Sequence, residues 1–439
     1  MTKPETLTTP HKRKCSTEKT PERLTSRRIV LPLTYSEYSE QMATDAQARD
    51  CLANWLATYP ELFPPTMSAG YSLHGWTQAS VKMPDKRLRR IKLAAKDDTG
   101  RTLAYTIAPC DLLPYMSGMV SDVEKAIYLK KFGVPDYALT YVFGRNDSYW
   151  YRQTLAFGRY NLVGSTVKDA DNLPEDLLAD EKHVKAHGTT WYIGTTVAQD
   201  CVLGASVSTT ADAVGLAEAY GVFKLEAQSV SPTYQPKTIN TDGWAATHKA
   251  WQTLFPTITI VLCFLHAFIR IRSCCQRLGS LYDEIRQHVW EIYRTSSRKA
   301  FLNGVSDLQN WVMTHRDSLT TSAIQSIDKL CQRADQFCLT FDHPSAYRTS
   351  NMVDRHMEPM ARWLADGRHF HGNLQSAELR MRSWALLHNY WPYCPRAKVS
   401  QSFQSPAHKL NGFVYRENWL ENLLVASSCQ GFRASHKIR

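Results

Sequence analysis

LLADEKHV, at residues 177–184, is the segment that decides the fold of this chain, and KTINTDGW (237–244) and YRTSNMVDRHME (347–358) complete its pattern. The first segment carries an acidic residue inside an apolar strand-like run, the second ends such a run with one, and the third sets one at the start of a helix. These residues are Asp180, Asp242 and Asp354. An acid within a buried strand is costly unless it meets a cation. Because Mg²⁺ prefers oxygen ligands, convergence of the three predicts a two-metal site for phosphoryl transfer.

The sequence between residues 177 and 266 indicates strands first and then alternating helices and strands. Two-residue alternation predicts an antiparallel meander at 177–184, 189–198 and 201–209. The next elements are expected to be a helix at 211–230, a strand ending at Asp242, a helix at 245–255 and a buried strand at 258–266. This order, βββαβαβ with a later helix, is that of an RNase H-like α/β fold with a mixed sheet. In that fold Asp180 and Asp242 lie side by side on neighbouring strands, where a like-charge pair needs a metal.

The remaining chain divides by composition and period. We expect a helical insertion between the last strand and the helix that carries Asp354, and basic segments at both ends. The predicted regions are a disordered tail (1–28), a mixed N-terminal domain (29–118), a helix-turn-helix-like region (119–168), the first part of the core (169–266), the insertion (267–340), the second part of the core (341–394) and a basic C-terminal tail (395–439).

The N-terminal part is predicted to be mainly helical and to bind DNA. A helix is expected at 47–59, a strand with one cationic face at 85–96, and a helix at 121–133 capped by Ser121. A second short helix begins at Asp136, and polar and aromatic residues follow it. The candidate DNA contacts are Arg145, Tyr149, Trp150 and Arg152. Any pair of antiparallel helices gives the same pattern, and the cationic strand face is either solvated or phosphate-binding.

Charge and cysteine usage restrict the class of protein. The net charge of +11 and the pI of about 9.0 favour a polyanionic partner, although basic tails on a neutral enzyme would give the same balance. Eleven cysteines without a C-x-x-C pair make a disulfide framework or a structural zinc module improbable and favour a reducing compartment. The longest apolar run, from Thr257, is shorter than the roughly 20 residues of a membrane span. We therefore expect a soluble intracellular protein with no membrane partner.

Several motifs resemble those of the DDE/D transposases, and among them the Mutator-like and related bacterial insertion-sequence groups. Besides Asp180, the matching segments are TDG (241–243), CFLH (263–266), which has the form of a C-x-x-H box, and TSNMVDR (349–355), which is similar to the family's [ST]-N-x-[hydrophobic]-E-R segment. The resemblance covers roughly residues 177–392. The chain departs from the family pattern in carrying Asp354 where most relatives have Glu, so that Glu358, one turn later, is an alternative third acid.

The resemblance implies a transposase that binds the terminal inverted repeats of its element and cleaves and joins DNA strands with two Mg²⁺ ions, for which Mn²⁺ substitutes. Asp180, Asp242 and Asp354 would be the metal ligands. The implied active-site neighbours are Cys263, His266 and Asn351. Two residues make no closed zinc site, so the alternative for Cys263 and His266 is packing at a strand end. Arginines that flank the third acid are candidates for phosphate contacts or are solvated; they are Arg348, Arg355 and Arg362.

The expected partners are double-stranded DNA, at the element ends and at the target, and further copies of the chain in a dimeric or larger synaptic complex. The expected location is the cytoplasm or nucleoid of a bacterial or archaeal host, or the nucleus of a eukaryotic one. Two alternatives stay open at this point. One is an inactive, transposase-derived DNA-binding protein, and the other is a different RNase H-like nuclease.

Overall fold

The computed structural model describes residues 27–96, 100–367, 369–397 and 402–429, together with the strand residues 24–25 and 432–433. The tail predicted for residues 1–28 lies, up to residue 23, outside the described part of the chain. The architecture is mixed α/β, as expected. The strands are β1 (Leu24–Thr25), β2 (Arg28–Leu31), β3 (Tyr71–Trp76), β4 (Arg89–Lys96), β5 (Thr102–Pro109), β6 (Asp176–Ala186), β7 (Thr189–Ala198), β8 (Cys201–Ser208), β9 (Thr238–Thr241), β10 (Thr259–Leu262) and β11 (Phe432–Arg433).

The helices are spread over the whole described chain. They are α1 (Tyr35–Gln41), α2 (Asp45–Thr58), α3 (Glu124–Lys130), α4 (Asp136–Phe143), α5 (Asp147–Ala156), α6 (Leu162–Thr166), α7 (Ala213–Val230), α8 (Ala245–Leu254), α9 (Phe264–Cys275), α10 (Ser280–Arg294), α11 (Arg298–Thr314), α12 (Thr321–Gln332), α13 (Ala334–Asp342), α14 (Asn351–Asp366), α15 (Leu374–Tyr390), α16 (Pro406–Asn411) and α17 (Trp419–Ala426). Within the described ranges, no helix combines the length and apolar character needed to cross a bilayer.

A five-stranded sheet in the order β10-β9-β6-β7-β8 forms the centre of the molecule. Strands β6, β7 and β8 are antiparallel, which confirms the predicted meander, and β9 and β10 run parallel to β6. Both hairpins close through two-residue loops, His187–Gly188 and Gln199–Asp200, whose residues all have positive φ. Such loops match the right-handed twist of paired strands and so fix the register of the meander.

Strand alternation assigns the two faces of this sheet to different helices. Leu177 and Ala179 of β6 belong to a core that includes residues of α7 and α8. Leu178 and Val184 belong to a core that includes residues of α14 and α15. Successive side chains of a strand point to opposite faces. Asp180, in phase with Leu178, is therefore directed to the α14 side of the sheet.

The free edge of the sheet, at β8, is covered by α15. The Asn389 side chain accepts a hydrogen bond from Val202 N and donates one to Val202 O, each at 2.8 Å. Glu378 Oε2 accepts a hydrogen bond from Val207 N at 2.7 Å. Because unpaired strand edges invite association with other chains, these contacts protect the sheet at this side.

The helical insertion is confirmed, but the strand before it is shorter than predicted. β10 ends at Leu262, where its partner β9 ends at Thr241, and Cys263 is the residue that precedes α9. The segment 263–266 therefore begins a helix instead of ending a strand. Helices α9 to α13 enclose a core of their own, in which Phe268 and Ile271 recur at helical spacing.

The N-terminal part forms a four-stranded sheet in the order β2-β5-β4-β3. The predicted helix at 47–59 and the strand at 85–96 are confirmed as α2 and β4. The helix predicted from Ser121 is wrong at its start, since Ser121 lies in a short 3₁₀ turn and α3 begins at Glu124. A single buried core extends from Ile29 to Ala426, so the N-terminal sheet and the α14–α15 layer pack together.

The C-terminal tail predicted for 395–439 is wrong for residues 402–429. Helices α16 and α17 lie there, and Leu420, Leu423 and Leu424 of α17 are almost completely buried. The apolar residues of this segment have helical spacing and fill the core beside α15, which the basic residues near the chain end concealed. Beyond them, β11 pairs with β1.

A buried ion pair links α15 to α7. Arg382 and Glu226 bind at 2.5 Å, and their side chains are 2% and 6% exposed. Glu226 also accepts hydrogen bonds from Leu162 N and Val163 N, and Arg382 donates to Tyr160 O. Three segments of the chain therefore meet at one pair of charges.

We expect Glu226→Ala to lower the free energy of unfolding by about 3–5 kcal/mol, because it leaves the Arg382 charge buried without its partner. Chemical denaturation followed by circular dichroism measures the change. Glu218→Ala, on the exposed face of the same helix, is the matched control and should stay within about 0.5 kcal/mol of the wild type. A loss below about 1 kcal/mol for Glu226→Ala, the range of surface ion pairs, would contradict this role.

Candidate functional site

Two of the predicted acids lie side by side where β9 ends: Asp180 is within β6, and Asp242 directly follows β9. β6 and β9 pair in parallel, with Leu177 opposite Ile239 and Leu178 opposite Asn240. The same offset places Asp180 beside Asp242, two residues farther along each strand. Both line a cavity of about 670 Å³. The sheet register therefore brings together two carboxylates that are far apart in sequence, as predicted.

The third predicted acid comes from the first turn of α14. Val353 is fully buried and anchors this turn, and Asp354 Oδ2 accepts a hydrogen bond from Ser350 Oγ at 2.9 Å. Burial, reinforced by the nearby carboxylates of Asp242 and Asp354, raises the pKa of Asp180 to about 6. The three acids thus share one electrostatic environment, in which their negative charges destabilise one another.

Glu181, the neighbour of the first acid, has a different role. Its carboxylate accepts hydrogen bonds from Tyr220 Oη at 2.8 Å and from Thr247 Oγ1 at 2.5 Å. Tyr220 lies on α7 and Thr247 on α8, so Glu181 is held on the face opposite α14, because successive side chains of a strand point to opposite faces. Burial raises the pKa of Glu181 to about 7.

Ser350 connects the segment 263–266 to the third acid, Asp354. Its hydroxyl lies 3.2 Å from Cys263 Sγ and 3.3 Å from His266 Nδ1, and it donates to Asp354. Its backbone N donates to Cys263 Sγ at 3.1 Å. Cys263 and His266 therefore lie beside the third acid, with Ser350 as the group that joins them to it.

The thiol and the imidazole of this network stabilise each other's charged forms. A hydrogen bond with Cys263 raises the pKa of His266 to about 9, and the carboxylates of Asp354 and Asp180 act in the same direction. Burial opposes ionisation of Cys263, but hydrogen bonds with His266 and Ser350 bring the pKa of the thiol below its ordinary value. His266 is thus a cation next to the acids at neutral pH.

The carboxylates of this site are suited to a hard metal ion, although they do not form a complete set of ligands by themselves. Among the described residues, no three His, Cys, Asp or Glu side chains stand close enough together to hold an ion as a ready-made group. Mg²⁺, however, usually keeps several waters and binds through one or two carboxylates plus substrate phosphate. Asp180 and Asp242 offer two such carboxylates, and neither forms a salt bridge with a described residue.

The alternative third acid, Glu358, is directed away from this network. Its side chain is 78% exposed and pairs with Arg362 at 2.5 Å. The helix continues through Pro359 without interruption. Asn351, the first residue of α14, is exposed beside Ser350, and within the described part of the chain its side chain forms no hydrogen bond with the three acids.

The predicted DNA-contact residues are placed unequally. Trp150 is 1% exposed and its indole donates to Gly144 O at 3.0 Å, so the prediction that it contacts DNA is wrong. Tyr149 is half-buried and packs edge-on against Trp150, with Arg145 above its ring at 5.6 Å. Arg152 is exposed on α5. The burial of Trp150 follows from its place on the inner face of α5, which helical spacing alone did not reveal.

The arginines that flank the third acid are engaged with protein groups. Arg348 lies over the Tyr293 ring at 4.8 Å, and Arg355 pairs with Asp200 at 3.3 Å. Arg362 pairs with Glu358. A different set of cations lines the cavity of Asp180 and Asp242, and sequence reasoning missed it: Lys182, Arg270, Lys329 and Arg333.

Two of these cations had a signal in the sequence. Lys182 follows Asp180 by two residues on the same strand face, and Arg270 follows His266 by one helical turn once α9 is known to begin at Phe264. Lys329 and Arg333 had none, because their approach to the acids depends on how five helices of the insertion pack.

The comparisons with known proteins do not assign this chain. No protein-family model matches it, and no curated protein matches it either. The geometry of the acids and their neighbours is therefore the basis for a functional proposal.

We expect His266 to titrate with a pKa of about 9 and Cys263→Ala to move that pKa down toward 6.5, because the thiol stabilises the imidazolium. NMR of the ring carbon resonances measures it. Since the folded pKa is raised, the stabilisation is present below about pH 6.5 and is lost as pH rises through about 9. Cys51→Ala, in α2, is the control and leaves His266 unchanged. A wild-type pKa near 6.5 would contradict the coupling.

Proposed function

We propose that the protein is a DNA transposase of the DDE/D type that carries out metal-dependent cleavage and joining of DNA strands on an RNase H-like core. One observation carries the proposal. Asp180, within β6, lies beside Asp242, which directly follows the neighbouring parallel strand β9, and Asp354 approaches them from a helix that follows a helical insertion. The sheet order, with three antiparallel strands in sequence and two parallel strands on the side of the first, supports the RNase H-like assignment.

In this proposal the residues divide the work of phosphoryl transfer. Asp180 and Asp242 would hold the metal ions, and Asp354, oriented by Ser350, would complete the set of ligands. When bound there, Mg²⁺ lowers the pKa of the attacking water or 3′-hydroxyl and stabilises the leaving oxygen. His266, held as a cation by Cys263, places positive charge where the charge of the transferring phosphoryl group develops.

The nature of the substrate follows from charge. The chain carries a net charge of +11, and four cations line the cavity that contains the acids. A polyanion complements the positive charge of the chain and of the cavity, and the divalent cations that it brings complement the acids. Recognition of terminal inverted repeats, assembly of two or more copies into a synaptic complex, and action at the nucleoid or in the nucleus belong to the same proposal.

Two other functions would use the same residues differently. An inactive DNA-binding descendant would bind DNA but not nick it in Mg²⁺ or Mn²⁺. Another RNase H-like nuclease would nick its substrate but leave no joined products. Strand-transfer products in an assay with supercoiled target DNA would distinguish the transposase from both.

We expect Asp180→Asn and Asp242→Asn each to abolish nicking and strand transfer while leaving DNA binding nearly intact. Metal ligands act on the transition state, so their loss should exceed the roughly 10–100-fold cost of changes outside the ligand set. Plasmid nicking and filter binding measure the two effects. Glu175→Gln, an exposed residue next to the start of β6 that pairs with Lys237, is the matched control. A variant that keeps a tenth of wild-type strand transfer identifies a residue that is not a ligand.

The third ligand should be Asp354. We expect Asp354→Ala to be inactive, Asp354→Glu to be partly active and Glu358→Ala to match the wild type, because Ser350 orients Asp354 while Glu358 is exposed and paired with Arg362. The same nicking assay, repeated over a range of Mn²⁺ concentrations, measures ligand loss as a raised metal requirement. Tolerance of Asp354→Ala together with inactivity of a folded, DNA-binding Glu358→Ala would reverse the assignment.

A further inference from the structure

The cavity of the acids has a second wall that comes from the helical insertion. Asp180 and Asp242 line the cavity from the sheet, and Arg270 of α9 with Lys329 and Arg333 at the end of α12 line it from the insertion. The three cations, here called the insertion cations, belong to a region outside the pattern of acids. Their position gives the insertion a direct part in the site.

The insertion cations are presented by rigid elements. α9 and α12 share a core in which Phe268 and Ile271 pack with Ile327 and Leu330. Lys329 and Arg333 are four residues apart, so they lie on one side of α12, and positive side chains at a helix C-terminus are favoured by the helix dipole. Arg270 is exposed next to buried Ile271. The wall is therefore preorganised by packing.

These cations lack partners of opposite charge. Among the described residues, no carboxylate forms a salt bridge with Arg270, Lys329 or Arg333. This distinguishes them from Arg355 and Arg362, whose charges are already paired. A cavity lined both by unpaired cations and by acids is suited to an anion that itself brings a metal ion to the acids.

Because Gly243 has no side chain, Arg333 can lie next to the second acid, Asp242. A Cβ atom at this position would lie 2.8 Å from Arg333 Nη1, and Gly243 has a φ of +94°. The Arg333 guanidinium therefore rests against the backbone directly after Asp242. A phosphate bound by Arg333 would adjoin the phosphate that reacts at the acids.

We infer that Arg270, Lys329 and Arg333 bind the phosphodiester backbone of the DNA strand on either side of the reacting phosphate. This inference rests on the proposed function and assigns the substrate-holding surface of the same site to the insertion. Contacts of this kind fix the position of a strand without reading its bases. The insertion thus clamps the strand against the sheet, whatever its sequence.

The test measures DNA binding in EDTA, so that no reaction takes place. Fluorescence anisotropy follows the affinity of a short duplex with a single-stranded 3′ end over a range of salt concentrations. The triple variant Arg270→Gln, Lys329→Gln, Arg333→Gln should reduce the slope of log K against log salt by about 2–3, since each lost phosphate contact accounts for about 0.7–0.9. The matched control is the triple variant Arg277→Gln, Arg294→Gln, Lys299→Gln, which removes the same charge from exposed positions of the insertion outside the cavity.

Combining these variants with changes of the acids tests whether the DNA strand enters the cavity. Without metal the acids repel the strand, so Asp180→Asn with Asp242→Asn should tighten binding in the wild-type background. That gain should disappear in the triple variant, where the strand no longer enters the cavity, and should persist in the control. The inference is overturned if the two Asp→Asn changes tighten DNA binding equally in the wild type and in the triple variant of the insertion cations. It is also overturned if the two triple variants have equal salt slopes.

The outcomes separate this inference from the proposed function. A wild-type protein that binds DNA but never cuts it with Mg²⁺ or Mn²⁺ overturns the proposed function, while the metal-free binding arms still decide the role of the insertion cations. A wild-type protein that binds no DNA overturns both.

Discussion

The buried ion pair of Arg382 and Glu226 is the interaction on which the rest of the structure depends. It joins α15, which lies along the free edge of β8, to α7 on the other face of the sheet. The hydrogen bonds from Leu162 N and Val163 N bring the N-terminal end of α6 to the same place. Two charges in a low-dielectric interior tolerate little displacement, because each would otherwise be left without solvent or partner. The two helical layers are thereby fixed relative to the sheet.

That fixed arrangement is what makes the acidic site possible. Asp180 and Asp242 depend on the register of β6 and β9, and Asp354 depends on how α14 lies on the face that Asp180 shares with Leu178. A slip of one residue in β6 would exchange Asp180 with Glu181 and direct the wrong carboxylate to α14. The hairpin loops of the meander and the hydrogen bonds from Tyr220 and Thr247 to Glu181 oppose that slip. The same contacts therefore determine both the stability of the sheet and the geometry of the acids.

Much of the core could be predicted because two signals agreed there. Two-residue alternation indicated the meander, and an acid inside an apolar strand made Asp180 a candidate site residue. The signals failed where periodicity is ambiguous. The apolar run that contains Cys263 suited a strand as well as a helix, and only the end of β9 decides that β10 stops at Leu262. Trp150 was assigned to a surface because its helix looked polar, while packing against other elements buried it.

Two cations of the site, Lys329 and Arg333, were beyond prediction for a related reason. Local patterns locate a helix and its buried face, but they do not say which neighbouring element an exposed face will approach. Lys329 and Arg333 lie 149 and 153 residues after Asp180, and only the packing of α9 to α13 brings them to its cavity. Sequence therefore revealed the chemistry that is built into the sheet and missed the part supplied by long-range helix packing.

The closure of the N-terminal sheet by the end of the chain has a consequence for biosynthesis. Val30 N donates to Ser428 Oγ at 3.0 Å, and Cys429 N donates to Arg28 O at 3.0 Å, so partners 398 and 401 residues apart complete one layer. During vectorial translation Val30 of β2 is made 398 residues before its partner Ser428. At about 5–20 residues per second the nascent sheet waits tens of seconds with one flank uncovered. A fragment that ends before Ser428 and Cys429 would therefore leave β2 without these partners and the N-terminal sheet open at that edge.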